Sequence, residues 1–313
     1  MLRNHPTDPV ARDQRPGKGA ASPGFPEFLQ HAIVDPVDDS SPVTNAVHVD
    51  MLDHIPTRRQ SQILYKGFMS GVHPLSPIIH PPIIAKLYNA FWDWYDYGSF
   101  SGEPCPEPSF IPLLYAIWYG GSVTVSVPTI KAEFNAPSRL ALATIYSHHV
   151  TDWLAKVSFP RKPSLQSLAA YLISQTILSK EEEPLSSCLF VSLAVSVGQT
   201  MGLHRDPAQF KIDPWEAEYR RRLWWHIVHM DCVIALSSGL PPLVSDESYW
   251  DVRETSEIKD TKLGTKEAMR YEQLVASGLR VPDSPDDPAF CDRSSMVNIY
   301  YFSAKGKCIM ARE

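Results

Sequence analysis

The stretch from Asp213 to Pro242 constrains this chain more than any other part of it. Asp213 can cap a helix, Pro214 suits a first helical turn, and Glu216 stands three residues past the cap, as in an Asp-x-x-Glu capping box. From there Tyr219, Leu223, Ile227, Met230 and Ile234 recur at spacings of four, four, three and four, the stripe of one helix face. Glu216/Arg220 and Glu218/Arg222 fall at i,i+4, where opposite charges on a helix meet. Gly239 and Pro241-Pro242 end the run. Trp224, Trp225, His226 and Val228 flank the stripe, so bulky side chains cover much of the circumference. A helix of this kind needs neighbours on several sides, and the pattern predicts a central one.

Other segments supply those neighbours. Ile63, Leu64, Phe68, Met69 and Val72 recur at helical spacing from about Arg58 until His73-Pro74 breaks the pattern. Pro82 opens a second helix whose stripe is Ile83, Ile84, Leu87, Tyr88, Phe91, Trp92 and Tyr95. A third, Phe110 to Tyr119, is expected to close at Gly120-Gly121, followed by a weakly strand-like Ser122 to Val127. Helical spacing returns at Leu140 to Leu154, at Leu165 to Thr176, and from Leu185 to Met201 before Gly202. Alternation of strand length is nearly absent elsewhere, so the expected fold is all-α.

Residues 1–57 are rich in Pro, Gly, Ser and Asp and read as a disordered leader. Through Arg59 this segment carries six Lys or Arg against eight Asp or Glu, the opposite of a basic DNA-gripping arm. The all-α domain is placed at 58–280, and 281–313 is read as a linker and short irregular tail. A formal net charge of −6 argues against broad attraction to phosphate. No apolar run approaches the roughly 18 residues that span a bilayer, so no membrane contact is expected. The five cysteines, Cys105, Cys188, Cys232, Cys291 and Cys308, contain no CxxC pair, and reduced thiols are expected in place of a metal cluster or disulfide framework.

Chemistry-bearing patterns are sparse. No GxSxG, GxxxxGK[ST] or GxGxxG occurs, so no catalytic residue and no phosphate cradle is expected. His226 and His229 at i,i+3, with Asp231 or Asp152, and His148-His149 with Asp152, allow a histidine-based metal site on spacing alone. Satisfied structural histidines fit the same spacing, as neither HExxH nor HxxEH appears. Trp118, Tyr171, Trp224 and Trp225 are candidate lining for a ligand-sensing pocket, against ordinary core packing. Arg220, Arg221 and Arg222 are read as a solvated, ion-paired helix start.

The block Ala194 to Val244 resembles the middle homology region of fungal zinc-cluster transcription regulators. The matching residues are the turn Gly202-Leu203-His204-Arg205-Asp206-Pro207, then Glu218, the run Arg220-Arg221-Arg222-Leu223-Trp224-Trp225, Asp231, and Gly239-Leu240-Pro241. His73-Pro74 and Pro77-Ile78-Ile79-His80 are similar to the opening of the same region, so the likeness runs from about Arg58 to Arg253. The resemblance implies a nuclear, all-α regulatory domain that is not an enzyme. It also implies partners among other regulators or co-regulators, a small-molecule effector as an alternative, and DNA contact only indirectly. The family's six-cysteine cluster is not written in this chain, so no cofactor is expected in it. The residues after Val281 do not continue the family's pattern.

Overall fold

A computed structural model describes residues 46–178, 184–244, 247–279 and 296–312. Among the described residues there are ten α-helices and no strand. They are α1 (Arg58–Gly71), α2 (Pro81–Ser101), α3 (Ile111–Thr124), α4 (Val127–Phe134), α5 (Arg139–Lys156), α6 (Leu165–Leu178), α7 (Pro184–Thr200), α8 (Pro214–Ser238), α9 (Lys266–Ala276) and α10 (Met296–Arg312). The all-α expectation holds.

Two helices organise the core. Every residue of α3 from Ile111 to Ser122 is buried, and α1, α5 and α6 pack around it. The predicted central helix, α8, lies between α7 and α10, with Leu223, Trp224, Ile227 and Val228 fully enclosed. Helix α6 touches both centres and joins them into one hydrophobic core. Ser61 shows how tightly the first centre is fitted: the Trp118 N–H donates to its Oγ at 2.8 Å, and that Oγ also bonds the Tyr88 hydroxyl at 2.7 Å. One buried hydroxyl thus satisfies polar atoms from α2 and α3 as well as its own.

Several local expectations are corrected. Gly120-Gly121 does not close α3, which runs on to Thr124. A Cβ on Gly121 would stand 2.1 Å from the Leu64 carbonyl oxygen, so the glycine is there for the close crossing of α1 and α3. Ser122 to Val127 is no strand: Thr124 ends α3 and Ser126 caps α4, its hydroxyl accepting from the Thr129 N–H. Asp213 and Pro214 do open α8, but the capping box is not made, since the Asp213 side chain bonds no backbone N–H there. Glu216 turns to Arg220 at 2.8 Å instead. A complete capping box occurs at Thr57 and Gln60, ahead of α1. At the other end of α8, Gly239 takes the expected left-handed conformation (φ 70°) and donates to Ala235.

Both ends of the domain differ from expectation as well. Residues 46–57, assigned to the leader, belong to the packed domain: Val47 is buried and accepts from the Cys105 N–H, and Tyr115 donates to the Asp53 carbonyl. The remainder of the leader, 1–45, lies outside the described residues, as do 281–295 of the segment read as a linker and short tail. The tail is not irregular where it is described. Met296–Arg312 forms α10, which buries Tyr301, Ala304 and Cys308 against α8.

Candidate functional site

The signature residues converge on one face of α8 and on the segments that cross it. Asp206 follows the left-handed turn at Gly202 (φ 72°) and buries its carboxylate against Arg221, with Nε and Nη2 each at 3.2 Å. The same carboxylate accepts the N–H of Ala208 and of Arg253, both at 2.8 Å. Burial alone would raise the Asp206 pKa, but Arg221 and these two backbone donors outweigh it and bring it down to about 2. Arg205 is exposed and pairs with Asp251, which also takes the Asp206 N–H at 2.7 Å. Pro207 and Leu203 are buried beside them, and the His204 ring leans on Trp224 with centroids 6.1 Å apart.

Glu218 and Arg222 form the second layer. Both are buried; Arg222 donates through Nε to Glu218 at 3.0 Å and through its two terminal nitrogens to Asp260 at 3.0 and 2.5 Å. Glu218 also accepts the Ser256 N–H at 3.0 Å and lies 3.8 Å from Arg221. Asp260 would be raised by burial, yet the Arg222 guanidinium holds it below the usual carboxylate range. The expectation of a solvated arginine run is therefore right in its ion pairs and wrong in its setting. Only Arg220 is partly exposed, while Arg221 and Arg222 are inside.

Asp231 completes the pattern one face along. Its two oxygens accept the N–H groups of Leu243 at 3.0 Å and Val244 at 2.8 Å, which ties the chain after Gly239 and Pro241 back onto α8. Burial raises the Asp231 pKa against the opposing effect of these donors. Trp225 donates to the Arg253 carbonyl at 2.9 Å and meets Trp250 edge-on at 5.4 Å. Chemically, the assembly is a set of clamps: carboxylates and guanidinium groups of the signature saturate one another and the backbone of 250–260.

The four candidate pocket residues do not come together. Trp118 packs with Phe91, Tyr115 and Tyr146; Tyr171 with Phe159 and Phe190; Trp224 and Trp225 with Trp250. Trp118 and Tyr171 sit in separate aromatic clusters and Trp224 and Trp225 share a third around Trp250, so the four are not gathered on one site. The histidine metal site is not assembled either. His226 and His229 both direct Nδ1 at the Tyr300 hydroxyl, at 2.6 and 2.7 Å, while Asp231 serves backbone donors and Asp152 sits by His148 on α5. Among the described residues no group of three or more His, Cys, Asp or Glu could hold a metal ion.

The histidine pair has a definite proton arrangement. An ammonium group only donates, so Lys307, 3.1 Å from His229 Nε2, leaves the neutral imidazole its proton on Nδ1. His229 then donates to Tyr300, Tyr300 donates to His226 Nδ1, and the His226 Nε2–H faces Thr176 at 3.4 Å. Burial pushes His226 down to about 3 and His229 to about 4, with the charge of His229 a further cause for His226 and that of Lys307 for His229. Residues of α6, α8 and α10 are thereby joined by one directed chain. Asp260, Trp250 and Tyr300 were missed from the sequence; only Tyr300 left a trace, in the apolar spacing of Tyr300, Tyr301, Ala304 and Cys308.

Comparison with known proteins places these features. The pattern of the fungal specific transcription factor domain matches residues 66–252. Transcription factor yanR of Aspergillus niger is 30% identical over 251 residues, covering 76% of this chain and 30% of that protein. Transcription factor macR of Penicillium terrestre is 31% identical over 239 residues, covering 74% and 27%. The aurofusarin cluster transcription factor aurR2 of Gibberella zeae is 28% identical over 262 residues, covering 82% and 36%. The chain thus spans about a third of the length of these relatives. No solved structure matches it.

Proposed function

The chain belongs to the fungal specific transcription factor domain family, and we propose that it serves as the regulatory domain of a nuclear transcription regulator acting through other regulator proteins. The observation that carries this reading is the inward commitment of the arginines: Arg221 and Arg222 are spent on Asp206, Glu218 and Asp260, leaving no basic run on α8 to meet phosphate. A net charge of −6 agrees with contact to DNA through a partner. The names of the relatives, one of them a factor of the aurofusarin cluster, support a role in controlling a biosynthetic gene cluster.

The test joins the chain to a heterologous DNA-binding module upstream of a reporter gene, and in parallel titrates the purified chain against fungal promoter DNA. A change in reporter output, with no salt-sensitive binding of the chain alone, is expected. Nanomolar, sequence-specific DNA binding by the chain alone, or an unmoved reporter, overturns the proposal.

A further inference from the structure

We propose that Cys232 and Cys308 are a modification site at which hydrogen peroxide joins α10 to α8 by a disulfide. Their Sγ atoms lie 3.0 Å apart in the core, on two helices more than seventy residues distant in sequence. A disulfide needs the sulfurs at about 2.05 Å, so an approach of roughly 1 Å completes the bond. The helices are already in register around the pair. Tyr301 donates to the Arg222 carbonyl at 3.1 Å, Tyr300 holds both α8 histidines, and Lys307 donates to His229 beside Cys308. The other described cysteines are elsewhere, Cys105 after α2 against Val47 and Cys188 on α7.

The chemistry balances with one equivalent of peroxide. One thiol, as thiolate, attacks a peroxide oxygen; the O–O bond breaks, and the sulfur becomes a sulfenic acid with release of water. The second sulfur displaces the sulfenic hydroxyl, forming S–S and a second water. Two thiols are oxidised by two electrons and the peroxide is reduced. Both sulfurs are enclosed in the core, so attack proceeds when α10 lifts locally, and redocking brings the second thiol to the first. The bridge then pins α10, whose outer face carries exposed Phe302, Ile309 and Met310.

The experiment uses the full chain, purified under reductant, exposed to hydrogen peroxide, blocked with iodoacetamide and digested without reduction. A Cys232–Cys308 peptide pair two hydrogens lighter is expected, cleaved by dithiothreitol. Closing so long a loop restricts the unfolded chain, so the melting temperature rises by roughly 5–10 °C and returns on reduction. Cys308→Ser abolishes both the link and the rise. Recovery of both residues alkylated or over-oxidised, links to Cys188 or between molecules, or a link without a rise each overturns the proposal. Should Cys308→Ser fail to fold, peptide mapping of the unsubstituted chain decides alone.

Discussion

At the residue scale, the signature's charged groups are valuable because they are saturated. Removing one partner of a buried pair leaves the other charge uncompensated, which costs far more than the intact pair contributes. Asp206→Ala, which takes from Arg221 its hydrogen-bonded carboxylate and from the N–H groups of Ala208 and Arg253 their acceptor, is expected to lower stability by about 3 to 5 kcal/mol in denaturant unfolding. Asp231→Ala removes the acceptor for Leu243 and Val244, and a milder loss of about 1 to 3 kcal/mol is expected in the same measurement.

Protonation follows the same logic. His226 is lowered to about 3, and His73, His80 and His229 to about 4, from 6.5, with burial as the largest cause for each. The unfolded chain binds these protons more readily, so the stability they contribute is complete above pH 6.5 and is lost as pH falls toward 4. Melting temperature measured from pH 8 to 4 is expected to fall steeply below about 6.5. Asp206, lowered to about 2, adds its loss only between 3.8 and 2. A flat profile from pH 6.5 to 4 contradicts the neutral, buried assignment of the histidines.

At the element scale, helix identity was legible from spacing where a helix buries a stripe, Leu64 and Phe68 on α1 and Ile84, Tyr88, Phe91 and Trp92 on α2, and it was legible on α8 because Leu223 and Ile227 recur within a helix buried on most sides. Spacing could not say what a glycine is for. Gly120-Gly121 reads like a stop, yet its partner Leu64 is distant in sequence, and only the crossing of α1 and α3 explains it. Gly121→Ala is therefore expected to cost about 3 kcal/mol or more by forcing two backbones apart. Gly306→Ala, in α10 with open space around it, is expected to gain roughly 0.5 to 1 kcal/mol. Matched chemical denaturation of the two variants checks the contrast. Helices α4 and α9 escaped the sequence reading as short helices fixed by the surface they land on, and α10 because its stripe of Tyr301, Ala304 and Cys308 finds its partner only on α8.

At the scale of the whole molecule, the family signature is a set of clamps that hold the 202–210 turn and the 250–260 segment against α8. The sequence carried the clamp's near half plainly, because Glu216/Arg220 and Glu218/Arg222 are local pairs on one helix. Its far half was invisible, since Asp260, Ser256 and Arg253 approach α8 only after the chain has turned back. The scattered aromatics were legible as core and not as a pocket for the converse reason: each finds its own ring partners, and no spacing rule brings Trp118 to Trp224. The arginine run is a structural device, with Arg221 and Arg222 committed to Asp206, Glu218 and Asp260 inside the domain. Equilibrium unfolding of Arg222→Ala, set beside the unsubstituted chain, measures how much the run contributes to the fold. A loss of about 3 to 5 kcal/mol is expected, because Asp260 loses its guanidinium partner and Glu218 keeps only Arg221, 3.8 Å away. Stability within about 0.5 kcal/mol of the unsubstituted chain would contradict it.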